Sequence, residues 1–212
     1  LFKVIKYILL KRTSFEYLNS FLKGNSEWKI LDIGCGYRPH PNASVIADIQ
    51  DFSKFYKDKK FVKIEKKILP FKDKEFDFVI ASHVIEHVED FEFFIKELER
   101  ISTKGYIELP SRLADNLVFE NRKDHIWWFS YNDIDKCLYA SKKNQLIEPF
   151  INVSTAKFFE KVFRESFVIE LMWENKIEYK IDNAIRFESL EKTSFFKIIK
   201  KYLSKRIRNL YR

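Results

Sequence analysis

The chain has 212 residues, 46% of them hydrophobic and 17% aromatic, with only four glycines and five prolines, which suits one packed α/β domain and excludes a disordered or low-complexity chain. Cys35 and Cys137 are too few for a disulfide framework or a cysteine-rich zinc site, so a reducing, cytoplasmic location is expected. The formal charge of +8 sits at the ends, with +4 on residues 1–12 and +7 on 191–212 against −3 on 13–190, a balance that argues against a nucleic-acid enzyme with a basic surface around its active site. No run of about 18 apolar residues is present. Residues 1–10, broken by Lys3 and Lys6, lack a small-residue cleavage site and are not read as a signal peptide, and the missing initiator Met suggests a trimmed chain.

In chain order, Thr13-Ser14-Phe15-Glu16 forms a capping-box pattern that predicts a helix to about Lys23, stopped by Gly24, and residues 1–24 are expected to form an N-terminal helical extension. Strands are expected at Trp28–Ile33, Val45–Ile49, Phe61–Glu65 and Phe76–Ser82. Asp90 caps a helix to about Ile101 whose Phe91, Phe94, Ile95 and Leu98 share one side, and a fifth strand follows at Gly105–Leu109. After Ser130 a helix is expected to about Ala140, and Ser154 is expected to open another to about Glu165. Phe167–Trp173 and Lys176–Ile181 read as an antiparallel hairpin that closes the sheet. The alternation predicts a mostly parallel sheet with helices on both faces, in a single domain over residues 1–190.

The chemistry begins at Leu31-Asp32-Ile33-Gly34-Cys35-Gly36. An apolar strand runs into a glycine turn whose backbone can approach a ligand, at the sheet edge where open α/β folds bind nucleotides. Asp48 ends the second strand twelve residues after Gly36, where its carboxylate can accept both hydroxyls of a ribose, and Ile49 beside it offers an apolar face to an adenine ring. The loop lacks a third glycine and its acid comes sooner than the roughly 20 residues expected for a dinucleotide site, which disfavours NAD and leaves a single nucleoside.

With Leu69-Pro70-Phe71 and Phe76-Asp77-Phe78 added, running on to His83-Val84-Ile85-Glu86-His87-Val88, the chain resembles the class I S-adenosylmethionine-dependent methyltransferases over about residues 26–110. The resemblance implies a seven-stranded Rossmann-like sheet in which the last hairpin supplies the one antiparallel strand. It implies S-adenosylmethionine as cofactor. Gly34, Cys35 and Gly36 would lie against the methionine portion, Asp32 would orient its amino group, Asp48 and Ile49 would hold the adenosine, Glu65 would stand near the adenine amine, and Ser82 and His83 would end the fourth strand beside the sulfonium. The short, proline-containing stretch between Gly36 and Val45 departs from the family, because the usual crossover helix must be shortened or lost.

Methyl transfer to a hydroxyl needs alignment, desolvation and a base. His87 and His125, followed by Glu108 at the end of the fifth strand, are the expected catalytic groups. Asp124-His125-Ile126-Trp127-Trp128-Phe129 reads as an aromatic loop suited to a sugar or other polyhydroxylated acceptor. Cys35 reads as a packing residue and Asp77 as a structural acid. His83, Glu86 and His87 also match the H-x-x-E-H pattern of zinc hydrolases, a remote alternative, and no metal is expected.

Residues 191–212 place Phe196, Ile199, Leu203, Ile207 and Leu210 at three- and four-residue spacings among lysines and arginines, an amphipathic basic helix. It suits packing against the chain or a second subunit, peripheral contact with an anionic membrane, or, less well, a nucleic acid. The sequence is therefore read as an S-adenosylmethionine-dependent methyltransferase of a small-molecule or glycan-type acceptor, acting at oxygen. The alternatives are an RNA-modifying methyltransferase that uses the basic tail and a cofactor-binding module without turnover. Acceptor identity and oligomeric state are not legible.

Overall fold

The computed structural model describes residues 9–146, 148–182 and 194–210. Its main sheet has seven strands: β1 (Leu9–Arg12), β2 (Ile30–Ile33), β3 (Val45–Asp48), β4 (Lys60–Lys63), β5 (Phe78–Ser82), β6 (Lys104–Pro110) and β9 (Val168–Glu174), ordered β1-β9-β6-β5-β2-β3-β4. Strands β2 to β6 run parallel, and β9 runs against β6 with Tyr106 opposite Met172. The carboxyl ends of β2, β3, β5 and β6 share one edge of this sheet. That is the edge at which an open α/β sheet receives a ligand.

The central strands are buried on both faces, so their apolar residues divide between two layers. Helix α1 (Phe15–Lys23), N-capped by the Ser14 hydroxyl accepting from the Tyr17 amide, places Leu18 and Leu22 against Ile30, Ile46, Phe78 and Ile80. Helix α2 (Phe91–Ile101), capped by Asp90 accepting from the Phe93 amide, packs Phe91, Ile95 and Leu98 on the opposite face with Leu31, Ile33, Val79 and Ala81. Short helices α3 (Arg112–Leu117) and α4 (Asn121–Asp124), then α5 (Val153–Val162) and α6 (Arg164–Phe167), follow β6 on either side of a second sheet.

No helix forms between Gly36 and Val45, as the prolines predict. Side chains hold that loop instead: the Tyr56 hydroxyl donates to the Gly36 carbonyl at 2.6 Å, and Lys59 Nζ donates to the carbonyls of Pro41 and Ala43.

Several expectations are corrected. The segment before α1 contains an edge strand, β1, paired antiparallel to β9, and the α1 cap is Ser14, whereas Thr13 Oγ1 is buried without a partner among the described residues. Residues 1–8, expected to be helical, lie outside the described ones. The helix expected after Ser130 is a hairpin of β7 (Trp127–Asn132) and β8 (Cys137–Lys142). Inward alternation of Trp127, Phe129, Tyr131, Leu138 and Ala140 overrides the Ser130 cap signal. Its turn is held by the Asn132 side chain, which accepts from the amides of Ile134 and Asp135, and by Lys136 at φ 50°.

The expected closing hairpin does not form in the main sheet either. Glu174 and Lys176 share one bridge, and β10 (Tyr179–Ile181) leaves to pair in parallel with β8. The seventh strand comes from the N-terminal side, as β1. The helix expected from Ser154 is α5, capped by the Asn152 side chain accepting from the Thr155 amide, and it ends at Val162. The second sheet, β10-β8-β7, lies over the start of α2, with Phe91 ring centroids 5.7, 5.6 and 5.0 Å from Trp127, Phe129 and Tyr179. This places residues 124–127 beside the carboxyl edge of the main sheet. Helix α7 (Phe195–Leu210) forms where the basic amphipathic pattern predicts, and the junction at 183–193 is outside the described residues.

Candidate active site

A cavity of about 610 Å³ opens at the carboxyl edge of the main sheet, lined by Gly34, Asp48, Ile49, Ile64, Val84 and His87 among others. Its volume is that of a site for a small organic ligand. Asp48 stands at its rim and is itself buried; one carboxylate oxygen accepts from the Gly36 amide at 3.0 Å and the other from the Gln50 amide at 2.9 Å. Ile49, beside it, is 72% exposed, an apolar side chain presented toward the opening.

The two loop glycines have different reasons. Gly34 lies at φ 71° and a Cβ there would stand 2.2 Å from Val84 Cγ2, so its lack of a side chain serves packing beneath the cavity wall. Gly36, at φ 49°, has nothing within 4 Å of the Cβ position, but its amide donates to Asp48 and its carbonyl accepts from Tyr56, and it does not line the cavity.

The remaining expected cofactor residues divide. Asp32 is buried behind the loop, where it accepts from the His40 amide at 2.6 Å; burial pushes its carboxyl up to about 7 despite that bond and the nearby Lys59. It ties the loop to the strand and does not line the cavity. Cys35 is likewise buried off the cavity, and burial, with the charges of Asp32 and Asp48, pushes its thiol up to about 12, which leaves it inert. Glu65 points to solvent, paired with Lys63 at 3.4 Å, while its neighbours Ile64, Lys66 and Lys67 line the wall. Ser82 is half-buried at the end of β5 and is not among the lining residues.

His83 lines the cavity in a left-handed conformation, φ 53°. Its Nδ1 lies 3.2 Å from Glu86 Oε1 and its Nε2 3.0 Å from Glu108 Oε1. Burial favours the neutral ring, but the hydrogen bonds to Glu108 and Glu86 outweigh it and hold the pKa at about 10. A ring protonated on both nitrogens is neither a base nor a metal ligand, so the H-x-x-E-H reading fails at its first position.

Glu108 is locked from the other side. Tyr106 Oη lies 2.6 Å from it and 2.7 Å from Glu170, and Arg164 bridges Glu108 and Glu170 at 2.9 Å each. Burial raises the Glu108 pKa, but His83, the tyrosine hydroxyl and Arg164 together bring it to about 2. Such a carboxylate is a weak base at neutral pH, and Glu108 is not retained as one.

The other expected bases converge. His87, on a single 3-10 turn (Ile85–His87), and His125, just before β7, stand edge to face with ring centroids 4.5 Å apart. His87 Nδ1 lies 2.9 Å from the Asp124 carbonyl oxygen, and His125 Nδ1 is bonded to the Asp115 carboxylate. Asp115 is itself buried and also receives Trp128 Nε1 at 2.7 Å and Lys143 Nζ at 2.8 Å. Trp127 donates to the Val88 carbonyl, and both tryptophans are buried, so the expected aromatic acceptor loop is a packed strand.

Sequence reasoning missed Asp115, Tyr56 and Val84, each ten to fifty residues from its partner, with no local pattern that marks it. Lys66 and Lys67, next to Glu65 in the chain, line the wall without having been singled out from the sequence.

Comparison with known proteins bears on residues 31–107, which match the family model described as a methyltransferase domain. Over residues 31–107 the chain is thus similar to methyltransferase domains. Two curated relatives are similar to part of this chain. One is an uncharacterized protein of Methanocaldococcus jannaschii, 32% identical over 122 residues that cover 50% of this chain and 52% of the relative. The other is a ubiquinone biosynthesis O-methyltransferase of Pelagibacter ubique, 32% identical over 104 residues, 42% and 43% of the two chains. The chain thus spans about half the length of these relatives or less.

Among solved structures, a Pyrococcus horikoshii protein is 17% identical with TM-score 0.43, covering 77% of this chain and 93% of that one. A SAM-dependent methyltransferase from Archaeoglobus fulgidus is 14% identical with TM-score 0.41, covering 76% and 94%.

The match to a methyltransferase domain implies S-adenosylmethionine as cofactor, and the cavity suits it. Asp48 is the acid at the end of the second parallel strand and Ile49 is an exposed apolar face beside it, a carboxylate and a surface of the kind that a ribose diol and an adenine ring require, whereas Gly36 is bonded to Asp48 and does not line the cavity.

Proposed function

We propose that this chain transfers a methyl group from S-adenosylmethionine to an oxygen of a small-molecule acceptor. The carrying observation is the convergence of His87 and His125 beside the cavity rimmed by Asp48. Asp48 and Ile49 would hold the adenosine, with the backbone of Gly34, which lines the cavity, along the methionine portion. The bound donor supplies a carbon already activated by its sulfonium, so the chain's own contribution is alignment, exclusion of water and management of the acceptor's proton. The two imidazoles are the groups placed for that last task, since His83 holds its protons and Glu108 is committed to ion pairs. The ubiquinone-biosynthesis relative, named as an O-methyltransferase, agrees with oxygen as the acceptor atom. Burial of Trp127 and Trp128 removes the argument for a glycan in particular.

Helix α7 carries six lysines and arginines and no acid, with Phe196, Leu203 and Ile207 more than half exposed. We propose that it brings the domain to an anionic membrane surface. No helix of the described residues is long and apolar enough to cross a membrane.

Calorimetric titration with S-adenosylmethionine, followed by a screen of hydroxylated acceptors for release of S-adenosylhomocysteine, tests the reading. Binding and turnover with an oxygen acceptor are expected. A flat titration rejects the donor, and turnover confined to nitrogen acceptors rejects the atom.

A further inference from the structure

The His87 and His125 pair has a third neighbour. Donor atoms of Glu86, His87 and His125 all lie within 4.8 Å of one another. Both rings are held by Nδ1, His87 against the Asp124 carbonyl and His125 against the Asp115 carboxylate. An acceptor at Nδ1 places the ring proton there and leaves the Nε2 lone pair bare, and neither Nε2 has a partner among the described residues. Glu86 is fully buried: its Oε1 faces His83, while its Oε2 has no partner among the described residues. A buried carboxylate oxygen with nothing to accept is costly and calls for a reason.

We propose that Glu86, His87 and His125 bind one divalent transition-metal cation of the zinc class at the edge of the donor cavity. Two imidazoles and one carboxylate form a three-ligand zinc set that leaves a position open. Ligand-to-zinc distances of about 2.0–2.2 Å require the three donors to draw somewhat closer together, and His87, the one exposed residue of the three, is the ring that would shift.

Asp115 supports His125 as carboxylates commonly support a metal-binding histidine, and Lys143 balances its charge. The set differs from the H-x-x-E-H pattern, because His125 comes from a separate segment and takes the place of His83. The inference rests on reading the cavity as the donor and acceptor site. With the cation bound, the two rings would serve as ligands rather than free bases, and the cation would make a coordinated acceptor hydroxyl more acidic, so that its proton passes to solvent as the oxygen takes the methyl group.

The test uses the full chain, stripped by chelator and then titrated with Zn²⁺ by calorimetry and with Co²⁺ by visible absorption. One equivalent is expected, with a spectrum of nitrogen and oxygen ligands. His87→Ala, His125→Ala and Glu86→Gln should each weaken Zn²⁺ binding about ten-fold or more, and Asp115→Asn about ten- to a hundred-fold. His87→Ala removes an exposed ring, so circular dichroism matching the wild type keeps that arm interpretable. S-adenosylmethionine is titrated into the same samples. Donor binding without metal binding overturns the cation site alone, whereas no donor binding overturns the donor reading whatever the metal does. A cobalt–thiolate absorption band, or unchanged Zn²⁺ affinity in both histidine variants, also overturns the site.

Discussion

Gly34 packs directly beneath Val84, with only 2.2 Å between the position of a Cβ on Gly34 and Val84 Cγ2. Two residues just past the carboxyl ends of the parallel strands β2 and β5 therefore close the floor of the cavity, and neither can grow without moving the other. Gly34→Ala adds this clash to the cost of a left-handed alanine, so a loss of about 2–4 kcal/mol in urea unfolding is expected. Gly36→Ala meets no neighbour and should cost only about 1–2 kcal/mol. Equal stability losses for the two variants would contradict this assignment.

Asp48 anchors the loop and, on the proposal, the ribose. Asp48→Ala removes charge-assisted hydrogen bonds of about 1.5–3 kcal/mol, so calorimetry should show donor affinity falling roughly ten- to a hundred-fold. Asp48→Asn, which retains one acceptor oxygen, should fall in between. Unchanged affinity in both variants would move the ribose elsewhere.

The His83 and Glu108 pair makes stability depend on pH in opposite directions. His83 is raised to about 10, so its contribution is complete below its unfolded value of 6.5 and drains away as pH rises toward 10. Glu108 is depressed to about 2, so its contribution is complete above 4.5 and is lost as pH falls toward 2. Urea midpoints should therefore be highest between about pH 4.5 and 6.5. His83→Asn, which tolerates the left-handed backbone, should flatten the alkaline limb. A midpoint that rises from pH 7 to 10 in the wild type would count against the pairing.

Helix α7 should bind vesicles containing phosphatidylserine and release them as salt rises, since each basic residue near the surface contributes about 1 kcal/mol. Flotation of the full chain, compared with a chain ending at residue 190, checks this. Equal flotation of the two would assign the binding to another surface.

The parallel core was legible because its signals are local. Trp28–Ile33, Val45–Ile49 and Phe76–Ser82 are short apolar runs with turn residues at their ends, and burial on both faces makes such runs unambiguous. Asp90 and the Phe91, Ile95 and Leu98 spacing specified α2 in the same way, and the glycine pair with Asp48 specified the donor side.

Residues 126–142 were misread because a cap signal at Ser130 competes with strand alternation, and only packing against Phe91 settles which one governs. Edge strand β1 was also hidden: Leu9–Arg12 has no pattern of its own, and its pairing partner lies some 160 residues away in β9.

The protonation roles followed the same division. His83, Glu108, His87 and His125 look alike as letters. The tertiary structure gave His83 two carboxylates and Glu108 a tyrosine and an arginine, and left the other two rings held by one nitrogen each. Sequence determined the parallel core strands and the acid, Asp48, that ends one of them beside a glycine turn, because apolar patterning and turn chemistry act within a few residues. Tertiary structure decided which titratable groups remain available for chemistry, because a proton's position depends on partners that the fold brings together from distant parts of the chain.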